Sequence, residues 1–371
     1  GLSPYIEAAP TEEQKYFLAT QQVDEARHAV FFHRFFTEVI GARGTIADGL
    51  ELTQEHLGWG YRGVFGRLET MFDELRRDHS AVTYARAITL YHLVIEATMA
   101  QPGQHYIEDF FAKAGTMPGF SQGMASVSGD EQRHIGFGVK VLSELVAGPE
   151  GEEVKAGIAE LLREVLPYVT GVFIPPNWDL RYTREYGFEL EDIYAFGMRS
   201  VEAKWRMIGY PIESMPGVYP FDPEMPHIER AERQIKLLRA GLVGEPKDEI
   251  DSNPELQAIY FDVIARTADT SAVDEPMTVQ WKFNDAPPWH VRIDNGSTAA
   301  IQGEAESPDV TLRTSFQQWV AMTTRGEDAR RAMLRGKLRP SGSPRKLMRM
   351  QKIWPGRPPI EDRQLAGANR P

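Results

Sequence analysis

The sequence predicts an all-α helical bundle at the N-terminus followed by a smaller α+β domain, and three observations carry that expectation. Segments with helical apolar spacing follow one another from Thr11 to Ala240. Two of them hold near-copies of one pentapeptide, Asp24-Glu25-Ala26-Arg27-His28 and Asp130-Glu131-Gln132-Arg133-His134. After Gly241 the composition shifts through an acidic, proline-containing stretch to short runs of strand character. At 371 residues the chain is long enough for more than one core.

The totals exclude several function classes. A formal charge of −12 argues against a nucleic-acid footprint and against a surface built for anionic lipid. No uninterrupted apolar stretch reads as a transmembrane helix. The absence of cysteine removes disulfides and thiolate ligands. No signal peptide opens the chain, and a cytoplasmic location is expected. The opening Leu2-Ser3-Pro4-Tyr5-Ile6 reads like the end of a helix already under way, so a helix upstream of residue 1 is expected.

Thr11, followed by Glu12, Glu13 and Gln14, is a helix start, and the helix continues past Phe35 and Phe36 toward Gly41. Helical pattern returns over 52–75, over 81–100 with an end at Pro102 and Gly103, over 106–114, and over 121–147 up to Gly148 and Pro149. Further helices are expected at 153–166, 189–208 and 224–240, with an irregular segment at 173–178. The domain reading is a helical domain over 1–243, a linker at 244–254, an α+β domain over 255–354 and a flexible tail over 355–371. In the second domain a helix at 255–267 precedes strands at 277–283, 290–293, 298–304 and 310–313, with a tight turn at Asp294-Asn295-Gly296. Helices at 316–323, 328–334 and 344–351 complete it.

Each pentapeptide places a glutamate and a histidine three residues apart, so on a helix both leave the same face about one turn apart. That is a two-toothed grip on a metal. A solitary Glu-x-x-His is as readily a surface pair, but two copies in matching helical context point to Glu25, His28, Glu131 and His134 as ligands. Glu96, lying among Val94, Ile95 and Met99, is a carboxylate too costly to bury without a partner. Paired Glu-x-x-His helices with single glutamates from two others form the ligand set of ferritin-like dimetal proteins. Oxygen-rich ligation with two imidazoles suits iron or manganese. Asp24 and Asp130 are read as hydrogen-bond partners of the ligand histidines; the competing reading is ion pairing with Arg27 and Arg133. His92, four residues before Glu96, is a further candidate for that outer ring. The remaining single glutamate is expected from the upstream helix, because Glu7 lies between two prolines.

These residues resemble the ribonucleotide reductase small-subunit-like superfamily, and most closely its R2-like ligand-binding oxidase branch, over roughly Ser3 to Tyr210. The resemblance implies the ligand order Glu25, His28, Glu96, Glu131, His134. It also assigns Tyr91, in Tyr91-His92-Leu93-Val94-Ile95-Glu96, to the family's tyrosine beside the cofactor, which can cross-link to a valine. Ideal α-helix geometry sets residues five apart on different faces, so Tyr91 rests on the resemblance alone. What the resemblance implies is an Fe/Fe or Mn/Fe pair, dioxygen as oxidant, a long-chain fatty acid or other hydrophobic small molecule near the metals, a reductase or other electron donor, and a homodimer.

Ile259 to about Trp354 resembles the sterol carrier protein-2 domain, through Trp281-Lys282-Phe283-Asn284-Asp285-Ala286-Pro287-Pro288-Trp289, the strand Pro308 to Arg313, Phe316-Gln317-Gln318-Trp319 and Gly336 to Pro340. That implies an apolar site for acyl chains or sterols, with Trp281, Phe283, Trp289, Phe316, Trp319, Val320 and Met322 as candidate lining; the alternative is that they fill a small core. The combined expectation is a dimetal oxidase or oxygenase of an apolar substrate with an accessory lipid-binding domain. Competing readings are an N-oxygenase or hydroxylase of a small metabolite, and a non-catalytic lipid-binding protein with a vestigial metal site; metal storage is disfavoured because a large second domain obstructs shell assembly.

Overall fold

The computed structural model describes residues 2–54, 56–294 and 296–355. Its chain clusters into two units, one from the chain up to Leu161 together with Gly171–Pro211, the other from Leu162–Thr170 together with the described chain from Ile212 to Pro355. The second unit thus begins well ahead of the linker read at 244–254. The turn residue Asn295 and the expected tail beyond Pro355 lie outside the described residues.

The first unit is helical, as expected. It runs α1 Ser3–Ala8, α2 Glu12–Arg34, α3 Ile46–Gln54, α4 Trp59–Arg77, α5 Ala81–Ile88, α6 Gln101–Ala114 and α7 Pro118–Ala147, followed by α8 Gly151–Val169 as far as Leu161, α9 Arg181–Tyr186 and α10 Leu190–Ile208. The Thr11 hydroxyl accepts from the Gln14 N–H at 3.3 Å to start α2, the cap its sequence announces. The pattern read as one helix over 52–75 is divided between α3 and α4, and α4 starts at Trp59 after Gly58, whose added Cβ would stand 2.7 Å from the Ile174 carbonyl oxygen.

One expectation fails usefully. The helix over 81–100 does not end at Pro102 and Gly103. Between α5 and α6 the residues Thr89–Ala100 are wound as a π-helix, and one helical path runs from Ala81 to Ala114. A proline inside an α-helix removes a donor and crowds the carbonyl one turn earlier. Here the preceding turn is wide, with the Gln101 N–H bonded to the Glu96 carbonyl, and the chain passes through Pro102 unbroken.

The second unit contains α11 His227–Ala240, α12 Pro254–Arg266, strands β1 Met277–Phe283, β2 Trp289–Asp294, β3 Ser297–Gln302 and β4 Val310–Thr314, helices α13 Phe316–Arg325 and α14 Ala329–Leu334, strand β5 Arg339–Gly342, and α15 Pro344–Ile353. The sheet order is β3-β2-β1-β4-β5. Neighbours are antiparallel except β1 and β4, which are parallel. Register puts Val279 between Val291 and Val310, and Trp281 between Trp289 and Leu312, so alternate side chains build one apolar face. On it Phe261 of α12 stacks on Trp289 at 4.9 Å, and Phe316 of α13 meets Phe283 edge-on at 5.3 Å. Strand β5 escaped the sequence reading because Pro340 sits inside it, a residue that sheets accept at an edge.

Close packing of α7 on the π-wound segment is set by Gly138, where an added Cβ would stand 2.4 Å from the His92 Cβ. At Gly136, two residues away, it would meet nothing within 4 Å. Gly138→Ala is expected to destabilise the protein by about 1–3 kcal/mol through overpacking, whereas Gly136→Ala is neutral or stabilises by up to roughly 1 kcal/mol through helix propensity. Paired urea denaturation curves check this; equal midpoints for the two variants would remove the packing argument.

Candidate metal centre

Helix α2 presents Phe17, Gln21, Asp24, Glu25 and His28 at spacings of three and four, and α7 presents Asp130, Glu131, His134 and Phe137 in the same way. The π-wound segment adds Tyr91, His92 and Glu96. The five sequence-predicted ligands converge from these three elements. Two groups of potential ligand atoms, Glu25 with Glu96 and His134, and Glu25 with His28 and Glu131, each lie within 4.8 Å of one another and share Glu25. His28, Glu96, Glu131 and His134 are buried. The Glu25 side chain alone keeps real exposure, at 32%.

The imidazoles are turned the same way. His28 faces the volume with Nδ1, 3.6 Å from Glu25 and 3.5 Å from Glu131, while its Nε2 lies 3.1 Å from Asp130. His134 Nδ1 is 3.5 Å from Glu96, 3.7 Å from Glu25 and 3.8 Å from Glu131, and its Nε2 is 3.2 Å from Asp24. Each aspartate therefore serves the histidine of the other motif. Their Arg contacts are present too: Arg27 reaches Asp24 and, at 3.2 Å, Asp130, while Arg133 reaches Asp130 and, at 3.4 Å, Asp24. Each aspartate thus has both an imidazole and guanidinium groups for partners.

Sequence reasoning missed Gln21. It is fully buried, its amide NH₂ donates to Glu96 Oε1 at 2.8 Å, and its carbonyl lies 3.0 Å from His92 Nε2. His92 thus reaches Glu96 only through this amide. The available signal was Gln21's place one turn before Glu25 on an otherwise functional face. Tyr91, five residues before Glu96, reaches the same volume and donates to Glu25 Oε1 at 3.2 Å. A π turn bonds residue i to i+5, which brings residues five apart onto one side. Phe17 and Phe137 stack at 4.3 Å beside His134 and form an apolar wall. Glu7 is exposed on α1 and takes no part.

Burial pushes the Glu96 carboxyl up to about 8, against the pull of His134. Burial disfavours charge on His134, yet the Glu131 and Glu96 carboxylates close to its ring prevail and raise it to about 10. Burial and then the charge of His134 push His92 down to about 3, so His92 is neutral. Burial, reinforced by Glu25, raises Tyr91, which stays a protonated phenol. Glu96 Oε2, Glu131 Oε2 and His134 Nδ1 are buried with no hydrogen-bond partner. Carboxylate and imidazole atoms left unpaired in one place fit cations, which would satisfy all three.

All seven aromatic and aliphatic candidates of the second unit belong to or pack against one apolar cluster. Trp281, Trp289, Phe316 and Val320 are buried within it, and Phe283, Trp319 and Met322 lie against it. Trp281 and Trp319 meet edge-on at 5.4 Å, and both indole N–H groups are buried without an acceptor.

The model of the SCP-2 sterol transfer family matches residues 270–354. Among solved structures, the chain is similar to the R2-like ligand-binding oxidase from Sulfolobus acidocaldarius, at 24% identity and TM-score 0.46 over 56% of this chain and 69% of that one. It is similar to a variant of R2-like ligand-binding oxidase with an aerobically reconstituted Mn/Fe cofactor, at 25% identity and TM-score 0.47 over 56% of this chain and 76% of that one. A third similar structure is an R2-like ligand-binding oxidase without metal cofactor, at 23% identity and TM-score 0.47 over 56% of this chain and 76% of that one. Among the described residues no helix is long and apolar enough to cross a membrane.

The raised Glu96 and His134 would hold protons that a bound cation would have to displace. Glu96 and His134 have folded-state pKa values raised above their ordinary ones, so their contribution to stability is complete at low pH and is lost as pH rises through about 8 and about 10 respectively. The metal-free protein is expected to lose stability from pH 5 to pH 9, and metal uptake near pH 7 to release protons. Thermal melts across pH and a pH-stat titration with Fe(II) or Mn(II) check both; proton-free uptake contradicts the assignment.

Proposed function

We propose that the helical unit is a dioxygen-activating dimetal carboxylate oxidase or oxygenase acting on an apolar or long-chain substrate, with the second unit as an acyl- or sterol-binding accessory. The observation that carries this reading is the convergence of Glu25, His28, Glu96, Glu131 and His134, with three of their buried polar atoms unpaired. Two metal ions, Fe/Fe or Mn/Fe, suit these ligand types and supply when bound the capacity to reduce dioxygen for a two-electron oxidation.

The chain's own residues prepare the site. Glu25 is shared between the two ligand groups, and its partial exposure leaves the volume approachable from one side. Asp130 and Asp24 accept from the Nε2 atoms of His28 and His134, which raises ring basicity and makes the inward Nδ1 the atom that a cation would take in place of a proton. Gln21 occupies Glu96 Oε1 and leaves Oε2 for the metal side. The stacked Phe17 and Phe137 exclude water next to His134. Tyr91 keeps its proton at Glu25 and is positioned as a group from which hydrogen can be withdrawn.

The SCP-2 match supports the accessory role, as do the unpaired indole N–H groups of Trp281 and Trp319, which a ligand's carbonyl or ester oxygen would satisfy. Repeated turnover needs an external electron donor. A homodimer through the helical unit belongs to the reading, and the exposed Tyr16, Val23 and Val30, spaced by seven on α2, support it.

Glu131→Ala is expected to lower bound metal from about two ions per chain to one or fewer, with unchanged helical content. Elemental analysis beside circular dichroism reads this, and unchanged stoichiometry takes Glu131 out of the ligand set. Anaerobic loading with Fe(II) followed by air is expected to give a new visible absorption and dioxygen uptake that depends on added long-chain substrate; a loaded protein showing neither is not an oxidase.

A further inference from the structure

The sheet of the second unit carries a row of like charges that nothing in the oxidase reading uses. Register places Lys282 of β1 beside Arg313 of β4, and Arg313 beside Arg339 of β5, so three cations stand side by side across three strands. Lys337 adds a fourth as the chain enters β5. Like charges directly opposed on neighbouring strands destabilise a sheet. Lys15 and Arg34, by contrast, each sit with an acid of their own helix, Glu12 and Glu38. In the row only Lys282 meets a carboxylate, that of Glu304, while Arg313 donates to the Ser341 hydroxyl at 2.9 Å. Among the described residues Arg313, Lys337 and Arg339 form no ion pair. A basic cluster with one acid for four cations, on a chain of net charge −12, marks a place where an anion is expected.

The cations surround a concavity of about 610 Å³. The exposed Asn284 side chain lines it, as does Ser315, whose hydroxyl accepts from the Gln318 N–H and keeps its own proton to give. Phe283 forms part of the wall, and its ring packs edge-on against Phe316 at 5.3 Å and tilted against Phe261 at 6.0 Å. The apolar cluster of the unit therefore reaches the edge of the basic concavity. A carboxylate would be matched by one arginine fork; two guanidinium forks, two ammonium groups and neutral donors match the charge and the several oxygens of a phosphate.

We propose that the concavity framed by Lys282, Arg313, Lys337 and Arg339 binds a phosphate group, carried by an amphiphile whose apolar part meets Phe283 or present as the free ion. The site is independent of the metal chemistry.

Isothermal titration of the full chain with dihexanoyl phosphatidate, dihexanoyl phosphatidylcholine and inorganic phosphate tests it. Phosphatidate is expected to bind, to weaken as sodium chloride is raised, and to lose roughly tenfold in affinity for each arginine replaced in Arg313→Gln and Arg339→Gln. Phosphatidate tighter than inorganic phosphate assigns the site to a lipid headgroup, and equal affinities assign it to the free ion. Binding unaffected by the double variant, phosphatidylcholine bound as well as phosphatidate, or no binding of either phosphate overturns the proposal. Both arginines are exposed, so the variants should fold. As a second reading, phosphate should raise the melting temperature of the wild type beyond sodium chloride of equal ionic strength, and the double variant should lack that increment.

Discussion

The helical unit is arranged around a charge problem: three carboxyl groups and two imidazoles share one small volume that is largely closed to water. Without cations such a cluster survives only by holding protons, and the raised Glu96 and His134 agree with that. The surrounding residues keep the ligand atoms in place against that cost. Asp24 and Asp130 tie each histidine to the opposite motif, and Arg27 and Arg133 bridge the two aspartates on the outer side. The result is a reciprocal clasp between α2 and α7, which explains why the repeated pentapeptide includes Asp and Arg as well as the Glu and His.

Much of this was legible in the sequence. Three-residue spacing on a helix leaves little freedom in where a Glu-x-x-His pair points, so Glu25, His28, Glu131 and His134 could be read without a structure. Glu96 followed from the cost of burying a carboxylate among apolar neighbours. Alternation with period two likewise delivered β1, β2 and β4. What could not be read depends on how elements meet. Whether Asp24 serves His28 or His134 is decided by the placement of α7 on α2. Gln21 looks like any polar residue of a helix until Glu96 and His92 arrive from another segment.

The π-wound segment shows a deeper limit. Reading 81–100 as an α-helix sends Tyr91 and Glu96 to different faces and makes Pro102 a terminator. Winding Thr89–Ala100 as π changes both consequences together: the five-residue bond brings Tyr91 over Glu96, and the widened turn lets the path continue through Pro102 to Ala114. Periodicity arguments assume the helix type before they start. The departure from α geometry falls on the turns that carry Tyr91, His92 and Glu96, where aiming side chains matters more than the energy of an ideal backbone bond.

The two units share one physical logic despite unrelated folds. In the bundle, buried acceptors without donors mark where cations fit; in the second unit, buried indole donors without acceptors, and the opposed Arg313 and Arg339 without an acid, mark where polar and anionic ligand atoms would fit. Folding free energy is small, so a chain tolerates such unpaired groups only in limited number. Gln280 is the contrast: fully buried in β1, it gives its amide to the Trp281 and Trp289 carbonyls at 2.9 Å and accepts from the Ala305 N–H at 2.7 Å, satisfying its polar atoms within the chain. A polar residue satisfied in this way stabilises the fold and calls for no ligand. Neighbours such as Trp281 and Arg313, left incomplete on the same sheet, are where a ligand would add what the protein itself does not supply.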